Sequence, residues 1–339
     1  MSVETPHADW REEQPVIDMH CHVAPEEVDT AVEVMDRIGL SKMVDISPSH
    51  GERFDRKLEA FEQYPDRFDL FGGIDFEGIG EEGWVDREVA RVEDLIERGA
   101  VGIKMHKALG LVHKDSDGEL IRVDDDRIAP IIERIGELGG VAAFHISDPK
   151  AFFDRLDEDN ERWAELSENP NWWWGDREEY PTDWWRLIRQ FENVVERHDD
   201  TTILGVHWGC AAEEVPYVAD IMRENENYIV DIAARVGEIG RWRPDLVHDI
   251  FVEHQDRVLF GTDMIVRDKL VLGAPDGKEH DLEDTQEFYD AHWRYFETDQ
   301  EEIMHPSPIQ GDWTVDSVDL PREVLEKFYV ENSRKHLGV

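Results

Sequence analysis

Along the 339-residue chain, short apolar and β-branched runs alternate with longer stretches in which apolar residues return every three or four positions. The short runs predict strands at Val16–Asp18, Lys42–Ile46, Phe68–Ile74, Val101–Met105, Gly140–Ile146, Thr202–Val206, Tyr228–Ile232 and Val258–Gly261. Helix-period stretches lie between them, among them Glu26–Ile38, Val85–Arg98, Asp124–Leu138, Glu213–Glu224 and Pro244–Glu253. Gly39, Gly99 and Gly139 stand just past three of these, where a helix ends most easily on a residue tolerant of positive φ. Strand–helix alternation with short connections implies parallel pairing. Eight such units predict an α/β chain closed into a (β/α)8 TIM barrel, a fold of roughly 250 residues before insertions. An open doubly wound sheet competes with it, but no GxGxxG or P-loop turn follows the first strand.

The extra length falls in two interruptions of a single domain spanning 1–339. One, about Ser147–Pro181, follows strand five and carries the run NPNWWWGDREEYPTDWW. The other, about Arg267–Leu320, follows strand eight and has a helical piece near Leu282–Glu297. Trp163, Trp172, Trp173, Trp174, Trp184 and Trp185 are assigned to the first, half of the chain's 12 tryptophans. Such a segment is either a lid whose indoles shape a pocket or a packed excursion that meets a second subunit.

Charge narrows the function classes. With 80 Asp+Glu against 36 Lys+Arg, the net charge is −44. A field of that sign repels nucleic-acid phosphates and anionic membrane surfaces, so neither is an expected partner. Disorder is excluded by the even spread of 12 Trp, 14 Phe and 7 Tyr. The basic residues comprise 26 Arg and only 10 Lys. Acid excess with scarce lysine resembles the cytoplasmic proteins of salt-accumulating halophiles, in which molar salt shrinks the Debye length to about 3 Å and screens self-repulsion. Cys21 and Cys210 form no disulfide framework, and the opening MSVETPHADWREEQ has no basic n-region ahead of an apolar stretch. No apolar run reaches membrane-spanning length. The expectation is a cytoplasmic protein.

The site of a (β/α)8 barrel lies at the C-terminal ends of its strands. There the chain places Asp18-Met19-His20-Cys21-His22 after strand one, Lys104 and His106 at strand four, His145 at strand five and His207 at strand six. Asp231 ends strand seven, and Gly261-Thr262-Asp263 follows strand eight. In an extended segment residues i and i+2 share a side, so His20 and His22 reach one metal together. His145 and Asp263 complete a mixed nitrogen and oxygen shell that suits Zn²⁺ better than Mg²⁺ or Ca²⁺. Singly, each histidine has an ordinary structural alternative, and Asp263 could cap a turn. Their convergence on one rim is what carries the reading. Asp18 shares the parity of the histidines, as an orienting group or an internal polar one. Cys21 has the opposite parity and should pack in the barrel wall.

The set VIDMHCH, GAVGIKMH, GGVAAFHIS, TTILGVHWGC, YIVDIAARVG and RVLFGTD, closing with VENSRKHLGV, resembles the amidohydrolase superfamily, in its amidohydrolase-2 branch of aminocarboxymuconate-semialdehyde decarboxylase-like enzymes. The resemblance runs from about Val16 to Leu337. It implies a metal-dependent barrel that hydrolyses amides, esters or lactones, or decarboxylates aromatic or unsaturated acids without oxidation. By the same resemblance His20, His22, His145 and Asp263 are ligands of one divalent ion, most readily Zn²⁺. Asp263 also shuttles the proton, and His207 assists catalysis off the metal. The branch carries its GxKxH-like segment without a bridging role, so Lys104 implies no second metal.

For a small-molecule substrate, the contacts expected are Lys104, His106, Trp208 and Arg235. Lys107, Arg241 and Arg267 are further cations near the mouth, and Arg235 is the first choice to grip a carboxylate. A non-catalytic metal-binding barrel is disfavoured by the complete ligand set, and a phosphoesterase barrel by a rim too poor in carboxylates and histidines for two or three metals. A homodimer is the default for such enzymes.

Overall fold

In the computed structural model, residues 7–176 and 178–339 are described; the first six residues of the N-terminal segment and Arg177 of the Trp-rich run lie outside them. All eight predicted strands form: β1 (Val16–Val23), β2 (Leu40–Asp45), β3 (Phe68–Gly73), β4 (Ala100–Met105), β5 (Val141–Phe144), β6 (Thr202–Gly205), β7 (Tyr228–Asp231) and β8 (Val258–Leu259). They stand in chain order, and every successive pair is parallel. Strands covered on both faces need apolar side chains at nearly every position, which is why they read as continuous runs. Single hydrogen bonds, not a ladder, join the last strand to the first. Met19 N–H donates to the Phe260 carbonyl at 3.0 Å, and Asp263 N–H donates to the His20 carbonyl at 2.8 Å. The architecture is the (β/α)8 barrel.

The helices follow their apolar periodicity. Val28–Ile38, Trp84–Glu97, Ala129–Glu137, Val215–Glu224 and Pro244–Glu253 bury one face each. Three start later than predicted: the 3₁₀ turns Pro25–Glu27 and Ala212–Glu214 occupy the first residues of two, and the stretch predicted from Asp124 turns before its helix begins at Ala129. Gly39, Gly99 and Gly139 take φ of +87°, +102° and +74° past their helices, a conformation that strains any side chain bearing a Cβ.

The interruptions are structured. The first holds the turn Lys150–Phe153, the helix Trp163–Glu168 and the turn Pro170–Trp172. Trp184 and Trp185 do not belong to it. Asp183 accepts the Arg186 N–H at 3.0 Å and so begins the barrel helix Trp184–Arg197 just before them. After β8, β9 (Met264–Val266) pairs in parallel with β1, and β10 (Leu270–Leu272) folds back antiparallel on β9. The expected helix Leu282–Glu297 opens on a capping box from Asp281 and Asp284. Buried apolar side chains from Trp10 to Leu337 form one contiguous cluster. No helix among the described residues is long and apolar enough to cross a membrane.

Candidate metal centre

β1 delivers its histidines by parity alone. It stays extended beyond the predicted boundary to Val23, so His20 and His22 face the barrel mouth together. Each ring is fixed from behind. His20 Nδ1–H donates to Asp231 Oδ2 at 2.8 Å, and His22 Nδ1 lies 2.7 Å from Ser47 Oγ. Ser47 is itself held, its N–H donating to Asp45 at 2.8 Å, and Asp45 takes Lys57 Nζ at 2.5 Å. Burial opposes the Asp45 charge, but the Lys57 ammonium outweighs it and lowers the pKa. Sequence reasoning missed Asp45 and Ser47, and left Asp231 as a strand end without a role. Their signal was weak: polar residues at and just after the end of β2 and at the end of β7.

β8 brings Asp263 to the same point. Its Oδ1 is 3.1 Å from His22 Nε2 and 3.6 Å from His20 Nε2. Ligands held about 2.0–2.2 Å from one ion stand roughly 3–3.5 Å apart, so these three atoms have the spacing of a metal site. Burial raises the Asp263 pKa, yet the His22 hydrogen bond and the charges of His20 and His207 hold it below the ordinary carboxylate range. Asp18 secures this corner. It accepts Thr262 N–H at 3.1 Å, Thr262 Oγ–H at 2.6 Å and Tyr289 O–H at 2.6 Å. It is an internal clamp on the GTD turn, and burial lifts its pKa despite those bonds.

β6 works differently. Immediately after it, His207, Trp208, Gly209 and Cys210 all have positive φ, between +56° and +63°. Such a left-handed turn costs roughly 1–2 kcal/mol for each non-glycine residue and persists only where its surroundings hold it. Asp231 does part of this, accepting the His207 N–H at 2.8 Å. The Ala233 carbonyl accepts His207 Nδ1–H at 2.7 Å, leaving Nε2 as the free nitrogen. Burial, then the nearby Arg235 charge, lower the His207 pKa well below its ordinary value. Its ring centroid is 4.7 Å from that of His20 and 4.5 Å from that of His145.

His145 sits beyond this group. It is not within the His20–His22–Asp263 triad, but its Nε2 is buried, has no hydrogen-bond partner among the described residues, and lies 3.9 Å from Asp148 Oδ1. Burial pushes its pKa well down, so a lone pair is available. An orphaned imidazole nitrogen lining the same cavity as Asp263 and His207 fits a further donor to a divalent ion.

A cavity of about 380 Å³ opens above these groups, lined by His145, His207, Asp263, Arg235, Phe152 and Trp172 among others. Of the expected substrate contacts, only Arg235 lines it. Trp208 is turned away by its left-handed backbone and stacks on Phe251 in the core, ring centroids 5.5 Å apart. Lys104 is buried below the rim with no hydrogen-bond partner for Nζ among the described residues; burial lowers its pKa to about 8 against the pull of Asp231. His106 is exposed at the edge, its ring 6.1 Å from that of His145. Lys107 and Arg267 line the cavity, whereas Arg241 pairs with Glu161 at the surface, 3.0 Å apart. Cys21 is buried in the wall.

Residues 17–339 match the family model Amidohydro_2, described as amidohydrolase, and the chain belongs to that family. It is therefore an enzyme of a metal-dependent family that acts on small molecules. Among solved structures, 2,6-dihydroxybenzoate decarboxylase from Rhizobium is similar at 14% identity and TM-score 0.53, over 96% of this chain and 99% of that one. A 4-oxalomesaconate hydratase from Rhodopseudomonas palustris is similar at 15% identity and TM-score 0.53, over 95% of each chain. At such identities the likeness is one of fold. Among curated proteins, none matches the sequence significantly.

Proposed function

We propose that the protein is a hydrolase using one divalent ion, Zn²⁺ by donor type, on a small amide, ester or lactone. The observation that carries this is the convergence of His20 Nε2 and His22 Nε2 on Oδ1 of Asp263, which lines the cavity, with the imidazoles held from behind. His145 would join them as the fourth protein donor. A divalent ion held by these residues would supply an activated water as the nucleophile. Asp263, whose carboxyl is held below the ordinary range, would accept the proton of the attacking water and return it to the leaving group. His207 presents an unprotonated Nε2, so it takes up a proton before it can donate to a developing negative charge. Elemental analysis tests the reading: one equivalent of metal in the wild type, none in His20→Ala, and acid release from amides, esters or lactones.

A decarboxylase is the second reading, and the cavity wall favours it. Arg235 and Arg267 have no carboxylate within 4.0 Å among the described residues, while Phe152 and Trp172 offer a flat apolar face. Guanidinium groups left free in so acidic a chain suit an anionic substrate. Release of CO₂ from an aromatic or unsaturated acid would decide for it. In either case the whole chain acts as one catalytic domain in a salt-rich cytoplasm, as a homodimer by default. Melting temperature should fall when salt drops below roughly 1 M; an unchanged value would remove the halophilic part.

A further inference from the structure

Beside the metal rim, four charged side chains are packed almost out of solvent. Arg162 is 0%, Glu165 3%, Glu238 2% and Arg235 6% exposed. Arg162 and Glu165 come from the Trp-rich segment after β5. Arg235 and Glu238 come from the turn and short helix Val236–Ile239 after β7. The two halves of the barrel mouth therefore meet through buried charge.

The pairing is uneven. Arg162 takes both carboxylates, bonding Glu165 Oε2 through Nη1 at 2.9 Å and forming an ion pair with Glu238 through Nη2. Arg235 takes neither. Among the described residues its guanidinium makes one hydrogen bond, from Nη1 to the carbonyl of Ala234, 2.7 Å away, and it lines the same cavity as His145, His207 and Asp263. Glu165 lines that cavity too, so a competing carboxylate is close at hand. Two buried carboxylates must find cations, because an unpaired buried charge is costly. Were Arg162 absent, Arg235 would stand as a buried cation beside Glu165 in the cavity they share, and its guanidinium would turn from the substrate space towards that carboxylate.

We propose that Arg162 is a positioning residue for substrate binding: it sequesters Glu165 and Glu238 and thereby keeps Arg235 free to hold the anionic group of the substrate. This rests on the reading of Arg235 as the anion-binding guanidinium. It also gives the segment after β5 a role in specificity although Arg162 does not line the cavity.

Benzoate titrated against the metal-loaded protein and followed by tryptophan fluorescence, with benzamide as the uncharged control, tests it. Arg162→Met should weaken benzoate about tenfold or more, like Arg235→Met, and leave benzamide and metal content unchanged. Arg162→Met/Glu165→Gln/Glu238→Gln, which removes the competing charges as well, should restore affinity to within about threefold of wild type. That triple variant keeps the proposal testable if Arg162→Met alone does not fold. A folded triple variant that binds as weakly as Arg235→Met would overturn it, as would Arg162→Met binding like wild type. Wild type that holds metal but discriminates nothing between benzoate and benzamide would instead remove the anion-binding reading of Arg235, and this proposal with it.

Discussion

The ends of β1 and β6 both present histidine to the metal rim, by opposite means. β1 simply continues as a strand, and alternation turns His20 and His22 the same way. β6 stops at Gly205, and four successive left-handed residues swing His207 towards the rim and Trp208 into the core. The first arrangement is locally cheap and depends on its neighbours only to fix ring orientation. The second is locally unfavourable and is held from outside, by Asp231 on the His207 N–H and by Tyr228 beneath the turn. Asp231 serves both ends, since its other oxygen fixes His20. Regular geometry needs support only for the ring; irregular geometry needs it for the backbone as well.

The largest expected effect separates the two by role. His20→Ala should abolish metal binding, whereas His207→Ala should keep one equivalent and lose turnover, both read by elemental analysis and assay. Stoichiometric loss of metal from His207→Ala would erase the distinction. Asp231→Asn strikes both ends together and should weaken metal binding about 10–100-fold, measured by chelator competition.

Gly209→Ala tests strain at the β6 end alone. Its φ is +63°, and an added Cβ would lie 2.2 Å from Tyr228 Oη. A loss of about 1–3 kcal/mol in urea unfolding is expected, against a far smaller change for Cys21→Ala on β1.

A histidine outside both ends provides the pH control. Burial lowers the His292 pKa to about 4, with the Phe288 carbonyl opposing, from an unfolded value of 6.5. A depressed pKa means that the unfolded chain binds the extra proton. Its contribution is therefore complete above pH 6.5 and is lost as pH falls towards 4. In metal-free protein, His292→Gln should flatten that part of the stability curve by about 3 kcal/mol. An unaltered slope would assign the acid sensitivity to the rim histidines instead.

Legibility in the sequence followed the same division. Strand positions and most helix boundaries were visible because periodicity is local, and His20, His22 and Asp263 came with them. Trp208 was placed wrongly because nothing in HWGC announces a left-handed turn; an extended reading puts the next residue beside the site. Trp184 and Trp185 were assigned to the first interruption because the Trp run continues through Pro181, while the helix start depends on the single cap at Asp183. Asp45, Ser47 and Asp231 went unread as supports, since each acts on a residue far away in the chain.

The sequence by itself determined the barrel, its eight strand ends and the chemical types gathered there, because burial pattern and alternation are properties of consecutive residues. Only the tertiary structure decided which nitrogen of each histidine is free, that Arg162 takes both carboxylates beside Arg235, and that β9 extends the sheet alongside β1. Apart from the contact of Arg162 with Glu165 three residues on, those outcomes depend on hydrogen bonds and ion pairs between segments tens to hundreds of residues apart. In a buried, low-dielectric site such contacts outweigh local preference.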